Sequence, residues 1–264
     1  MNLNVNRQRG FTLVEILVVI AIIAVLAGIL FPLFAQAKES ALESKALNQI
    51  KQLGAALNMY ASQNDEKELA STNYGYPDSA PDKMWQNDLV GLVKDHNIFV
   101  APGSEGKFAE TFDERGEMSV GYTSATAVDT VNGCPSTQTD TDACIAFTTV
   151  TSFPSNENQS AIGLLAVTPN GPTTGNYRGY EFSPYNGAPD TEHPKLSPPL
   201  VSDRDLVKEM TNLGPDALKP IYCRYLSNLQ DAGFTPVVFA DTHAKNYSAK
   251  QIQDSSSNIV WRFR

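Results

Sequence analysis

Three cysteines in 264 residues are too few for a scaffold built on disulfides, and Cys134, Cys144 and Cys223 match no zinc-binding spacing. Cations are also scarce: 20 Lys and Arg stand against 29 Asp and Glu, a formal net charge of -9. A chain of that sign offers little to displace counterions from a phosphate backbone, so no nucleic-acid partner is expected. The sequence has no Gly-x-Ser-x-Gly elbow for a serine nucleophile and no Walker-type loop to cradle nucleotide phosphates. Internal repeats are absent. The longest absence is local: from Ile16 to Leu30 there is no polar side chain at all, and the apolar character continues to Phe34.

That run approaches the roughly 20 residues needed to cross a bilayer as a helix. A secretory signal peptide would carry an apolar core of about 7–15 residues, shorter than this run. Arg7 and Arg9 precede the run, and Lys38 is the first cation after it. Positive flanks stay inside, which places Met1–Arg9 in the cytoplasm and the large body outside the membrane. One carboxylate, Glu15, sits near the start of the apolar segment. An unpaired charge in hydrocarbon is costly, so this residue asks for a partner.

The residues Gly10-Phe11-Thr12-Leu13-Val14-Glu15 resemble the type IV prepilin processing motif. The resemblance implies cleavage between Gly10 and Phe11 by a prepilin peptidase, N-methylation of Phe11, and delivery to an inner-membrane assembly platform. It also implies that Glu15 neutralises the terminal amine of a neighbouring copy or related pilin-like subunit during filament assembly. A carboxylate and an ammonium, each expensive in lipid, become tolerable as a pair. The plain alternative is an uncleaved membrane anchor with a chance glutamate. Removing the leader, residues 1–10, would take away two cations, Arg7 and Arg9, and shift the net charge from -9 to -11. Pro32 lacks a backbone donor and clashes with the preceding turn, so a kink or local melting is expected at Gly28–Pro32. Pilins often carry a proline at the matching place.

Beyond the membrane segment, residues 11–34, the helical period persists through residues 35–67. Leu42, Ala46, Ile50, Leu53, Leu57 and Tyr60 form one stripe, with Lys38, Glu39, Glu43, Lys45, Lys51 and Asn58 off it. A helix from Phe11 to about Asn64 spans on the order of 80 Å. The remaining body, residues 68–264, reads as short strands in polar loops: Ser119–Val128, Ile145–Thr151, Ala161–Val167, Pro236–Asn246 and Ile259–Phe263. Asp203–Met210 reads as a short helix, and Tyr74–Pro81 and Asn170–Pro199 as loops. The fold class is α+β and pilin-like: a long helix whose distal half packs on an antiparallel sheet.

The stretch Gln49 to Tyr60, followed by Trp85 and Ile98-Phe99-Val100-Ala101-Pro102, is similar to a group of large pilin-like proteins of some Gram-negative lineages. That group ends in a Phe-Ala-Asp-Gly-His strand. This chain has Phe239-Ala240-Asp241-Thr242-His243, with threonine for glycine, and Asp231 where the group carries a histidine.

In one continuous strand Asp241 and His243 would share a face, the geometry of a metal pair or hydrolytic site. A turn aspartate beside a surface histidine is the plainer reading. Asp129, Asp140 and Asp142 supply oxygen ligands of the kind calcium takes, without the spacing of an EF-hand; a solvated acidic loop is the alternative, and no other cofactor is expected. Cys134 and Cys144 flank a polar loop that a disulfide could close, or all three cysteines are small buried hydrophobes. Tyr74, Tyr76, Tyr177, Tyr180 and Tyr185 lie in loops and suit either a partner surface or loop anchoring. The favoured function is a non-enzymatic structural subunit of a type IV pilus or type II secretion pseudopilus. The alternative is a membrane-tethered binding protein for a glycan or protein, using the helix only as an anchor.

Overall fold

The computed structural model describes residues 11–64, 69, 72–74, 82–123, 158–171, 179, 181–182, 201–202, 221–226, 233–254 and 258–259. The chain divides into two compact units, Met1–Ala41 and Leu42–Arg264. Helix α1, Leu13–Gln63, contributes residues to each and remains helical through Gly28 and Pro32.

In the first unit every large apolar side chain from Phe11 to Phe34 is exposed. The helix is apolar on all sides there and long enough to cross a membrane. Its hydrophobic surroundings must come from lipid or from other helices.

The second unit takes the amphipathic stretch of α1 from Leu42 onward. Ala46, Ile50, Leu53 and Leu57, four members of the expected stripe, are buried, and Leu42 and Tyr60 pack partly against the same core. Strands β1 (Thr72–Tyr74) and β2 (Asp82–Met84) pair antiparallel, and the short helix α2 (Trp85–Leu89) follows directly. The main sheet contains β3 (Val120–Thr123), β4 (Gly163–Val167), β5 (Glu181–Phe182), β8 (Phe234–Phe239) and β9 (Ala244–Ser248), in the order β5-β3-β4-β8-β9. Its neighbours run antiparallel except for the parallel pair β3–β5, so the sheet is mixed rather than purely antiparallel. Strands β6 (Val201–Ser202) and β7 (Ile221–Tyr222) form a parallel pair, and helix α3 (Ala249–Gln253) closes the described order.

Both sheet faces are covered, and this explains why β4 reads as an unbroken apolar run. One core joins the buried stripe of α1 to Trp85, Phe99, Tyr122, Leu165 and Val238. The other joins Ala166, Val237 and Phe239 to Phe182, Ile221, Cys223, Ala249 and Ile252. Adjacent residues Val237 and Val238 thus serve opposite faces, as the pleat requires. In β4 the register shifts between Gly163 and Leu165, and Leu164 and Leu165 both enter the first core.

Two polar contacts fix α1 against the body. Gln49 Nε2 donates to the carbonyls of Asn97 (2.5 Å) and Val100 (3.0 Å), and Asn246 Nδ2 on β9 donates to Glu43 Oε1 at 2.6 Å. Asn97 lies in a 3₁₀ turn, His96–Phe99, that ends at Val100 and is capped by Asp95, whose carboxylate accepts from Asn97 N–H at 2.9 Å. At Gly54 a Cβ atom would lie 2.7 Å from Val238 Cγ1, so glycine permits the close approach of helix to β8.

Several sequence expectations are corrected. The strand expected over Pro236–Asn246 is a hairpin: Thr242 N–H donates to the Phe239 carbonyl at 2.8 Å, and β9 begins at Ala244. Asp241 carries the turn, its Oδ1 accepting from His243 N–H at 3.1 Å, a side-chain mimic of a backbone turn. Thr242 adopts φ +70, a left-handed conformation that suits glycine and strains a β-branched residue. Thr242→Gly is therefore expected to stabilise the body by about 0.5–1 kcal/mol, relief of the left-handed penalty outweighing the added chain entropy. The midpoint of chemical denaturation should rise, and a fall would contradict the strain.

Tyr74 lies in β1 and Glu181–Phe182 in β5, both inside segments expected to be loops. Strands this short give no alternation to detect. Ala161 belongs to a 3₁₀ turn and β4 starts at Gly163; β3 ends at Thr123 within the described residues. Ile259 is not in a strand. The expected strand Ile145–Thr151 and helix Asp203–Met210 lie outside the described residues.

Candidate assembly site

Helix α1 begins at Leu13, which makes Thr12 its N-cap and Glu15 the third helical residue. A helix start leaves backbone N–H groups without intrahelical acceptors. Here Thr12 and Glu15 answer that need reciprocally. Glu15 Oε2 accepts from the Thr12 N–H and from the Thr12 hydroxyl, each at 2.8 Å, while Thr12 Oγ1 accepts from the Glu15 N–H at 3.3 Å. This is a capping box, worth on the order of 1 kcal/mol at an N-cap. The Thr-x-x-Glu spacing was readable in the sequence, and the reading of Glu15 as a lone charge overlooked it.

The consequence is chemical as well as local. One carboxylate oxygen is held by Thr12, and Oε1 makes no hydrogen bond among the described residues. Phe11 is 85% exposed. The negative carboxylate also sits at the positive end of the helix dipole, which favours its charged form in place. The arrangement holds the carboxylate through one of its two oxygens. Gly10, the residue before the expected cut, lies outside the described residues.

The other candidates divide clearly. Asp241 and His243 do meet, with Oδ1 2.5 Å from Nδ1, and the imidazole stacks flat on Phe239 with ring centroids 4.3 Å apart. They sit in the hairpin turn rather than on one face of a strand. Among the described residues no group of three His, Cys, Asp or Glu side chains could hold a metal ion. Asp129, Asp140, Asp142, Cys134 and Cys144 lie outside the described residues, as do Tyr76, Tyr177, Tyr180 and Tyr185. Cys223 is a free, buried thiol, and burial pushes its pKa up to about 12.

Comparison with known proteins agrees with this N-terminal architecture. Residues 5–31 match the prokaryotic N-terminal methylation motif. The chain is 34% identical over 122 residues to the type II secretion system core protein G of Escherichia coli (strain K12), a match covering 39% of this chain and 79% of that protein. The corresponding protein of Pseudomonas aeruginosa is 32% identical over 118 residues, covering 39% and 80% respectively. That of Pectobacterium carotovorum subsp. carotovorum is 49% identical over 59 residues, covering 22% of this chain and 38% of its own. The chain belongs to the family of the type II secretion system core protein G, a family of pseudopilins. No solved structure matches it.

Proposed function

We propose that this pilin-like structural subunit works in a type II secretion pseudopilus, cut between Gly10 and Phe11 by a prepilin peptidase and methylated at Phe11. The reading rests chiefly on the Thr12–Glu15 capping box at the head of an exposed apolar helix. Before assembly the subunit sits in the inner membrane as a single-pass protein, leader in the cytoplasm and body outside, as the Arg7 and Arg9 flank favours. During assembly the new amine at Phe11 of one subunit meets Glu15 Oε1 of its neighbour. Thr12 holds the carboxylate ready, so the pair forms without first ordering a free side chain. The apolar surface from Phe11 to Phe34 then packs on other pilin-like helices instead of lipid.

Pro32 has no N–H to offer the Gly28 carbonyl, so the Gly28–Pro32 turn is the place where α1 bends or melts as subunits pack. Cys134 and Cys144, which flank one polar loop in the sequence, are the candidate disulfide. The tethered binding protein is the less favoured reading, because the relatives that share this helix are named as secretion-system core proteins. The test is the N-terminal mass of the protein isolated from membranes, with and without reductant: an N-methylated Phe11 start is expected.

A further inference from the structure

On the sheet face opposite α1, an open cavity of about 420 Å³ lies among β8, β9, α3 and the 3₁₀ turn at Gln159–Ala161. Its volume falls in the range of small-molecule sites, roughly 300–1,000 Å³. The floor is apolar and aromatic: Phe239, Tyr247, Ala161 and Ile259. Phe239 is buried, and Tyr247 is held half-buried by a ring contact with Phe239 (centroids 5.8 Å apart) and by Lys245 Nζ at 5.3 Å from its ring centroid. Burial raises the Tyr247 pKa above its ordinary value.

Three carboxamides stand around this floor: Asn158, Gln251 and Asn258. Local bonds already use one side of two of them. Gln251 Oε1 accepts from Ser248 N–H at 2.9 Å, completing the α3 capping box, and Asn158 Oδ1 accepts from the Ser160 hydroxyl at 2.6 Å. Their NH₂ groups, and the whole Asn258 amide, have no hydrogen-bond partner among the described residues. Among the described residues the lining contains no Lys, Arg or His, and its one charged side chain is that of Asp254. That set offers an aromatic platform with amide donors and acceptors beside it.

We propose that the cavity binds a neutral N-acetylated amino sugar. The sugar ring stacks on Tyr247, its acetamido group pairs with the carboxamides, and the acetyl methyl rests on Ala161 and Ile259. This ligand adds to the body and is independent of how the helix assembles.

The test uses the full chain in phosphatidylcholine nanodiscs, titrated with chitotriose and, separately, maltotriose, and read by saturation-transfer NMR and calorimetry. Saturable chitotriose binding is expected, weakened roughly tenfold by Tyr247→Ala and by Asn258→Ala, with maltotriose bound at least tenfold more weakly. Asn258 makes no hydrogen bond among the described residues, so Asn258→Ala leaves the fold intact and decides the matter if Tyr247→Ala fails to fold. Absence of chitotriose binding, equal or tighter binding of maltotriose, or full affinity in Asn258→Ala would overturn the proposal.

Discussion

Glu15→Ala is expected to leave the Gly10–Phe11 cut intact and to reduce the filament-incorporated subunit at least a hundredfold. Removing one partner of a buried ion pair costs about 3–5 kcal/mol, because the remaining charge stays in a medium that cannot solvate it. Each 1.4 kcal/mol is about a factor of ten in the assembly equilibrium. The substitution also removes the capping box, since Glu15 Oε2 is the acceptor for both Thr12 donors. Glu15→Gln separates the two effects: a glutamine at this position still caps the helix but carries no charge. The ion-pair account predicts that both variants are processed and neither assembles. Assembly restored by glutamine would mean that the cap, not the charge, carries the role. Leader processing is read by the size shift of the subunit, and assembly by the sheared, pelletable fraction.

Trp85→Ala is expected to cost the body about 3–5 kcal/mol, the usual range for deleting a fully buried aromatic side chain. Trp85 has no solvent exposure and stands where α1, α2 and the sheet meet. Its ring packs edge-on against Phe99, with centroids 5.5 Å apart and planes at 69°, and tilts over Tyr122 at 5.9 Å. Alanine leaves a cavity that these neighbours cannot fill without abandoning their own contacts. For a body of this size the thermal midpoint should fall by roughly 10 °C, read by near-ultraviolet circular dichroism. Trp85→Phe, which keeps an aromatic ring in place, should lose less than half as much. A midpoint unchanged in Trp85→Ala would mean that this core does not hold the body together.

The parts of the molecule with a long period were legible in the sequence. The stripe from Leu42 to Tyr60 repeats often enough for its burial to follow from spacing alone, and Ala46, Ile50, Leu53 and Leu57 are buried. The membrane segment was legible for the opposite reason, its lack of any polar interruption. Short elements were not. Strands of two or three residues such as β1, β5, β6 and β7 are set by partners distant in the chain and leave no local pattern. The turn aspartate at Asp241 was legible, but a strand drawn unbroken from Pro236 to Asn246 ran through it, because Thr242 occupies a conformation that glycine would have announced. Capping boxes such as Thr12 with Glu15, Thr111 with Glu114 and Ser248 with Gln251 are present as spacings of four residues. The Ser248–Gln251 spacing locates α3, and with it one wall of the cavity.

The account stands most directly on the covalent start of the mature protein. Mass spectrometry of the native chain from membranes should find N-methyl-Phe11 as the first residue, with residues 1–10 removed. A chain that still begins at Met1, in cells that process other proteins carrying this motif, would contradict it.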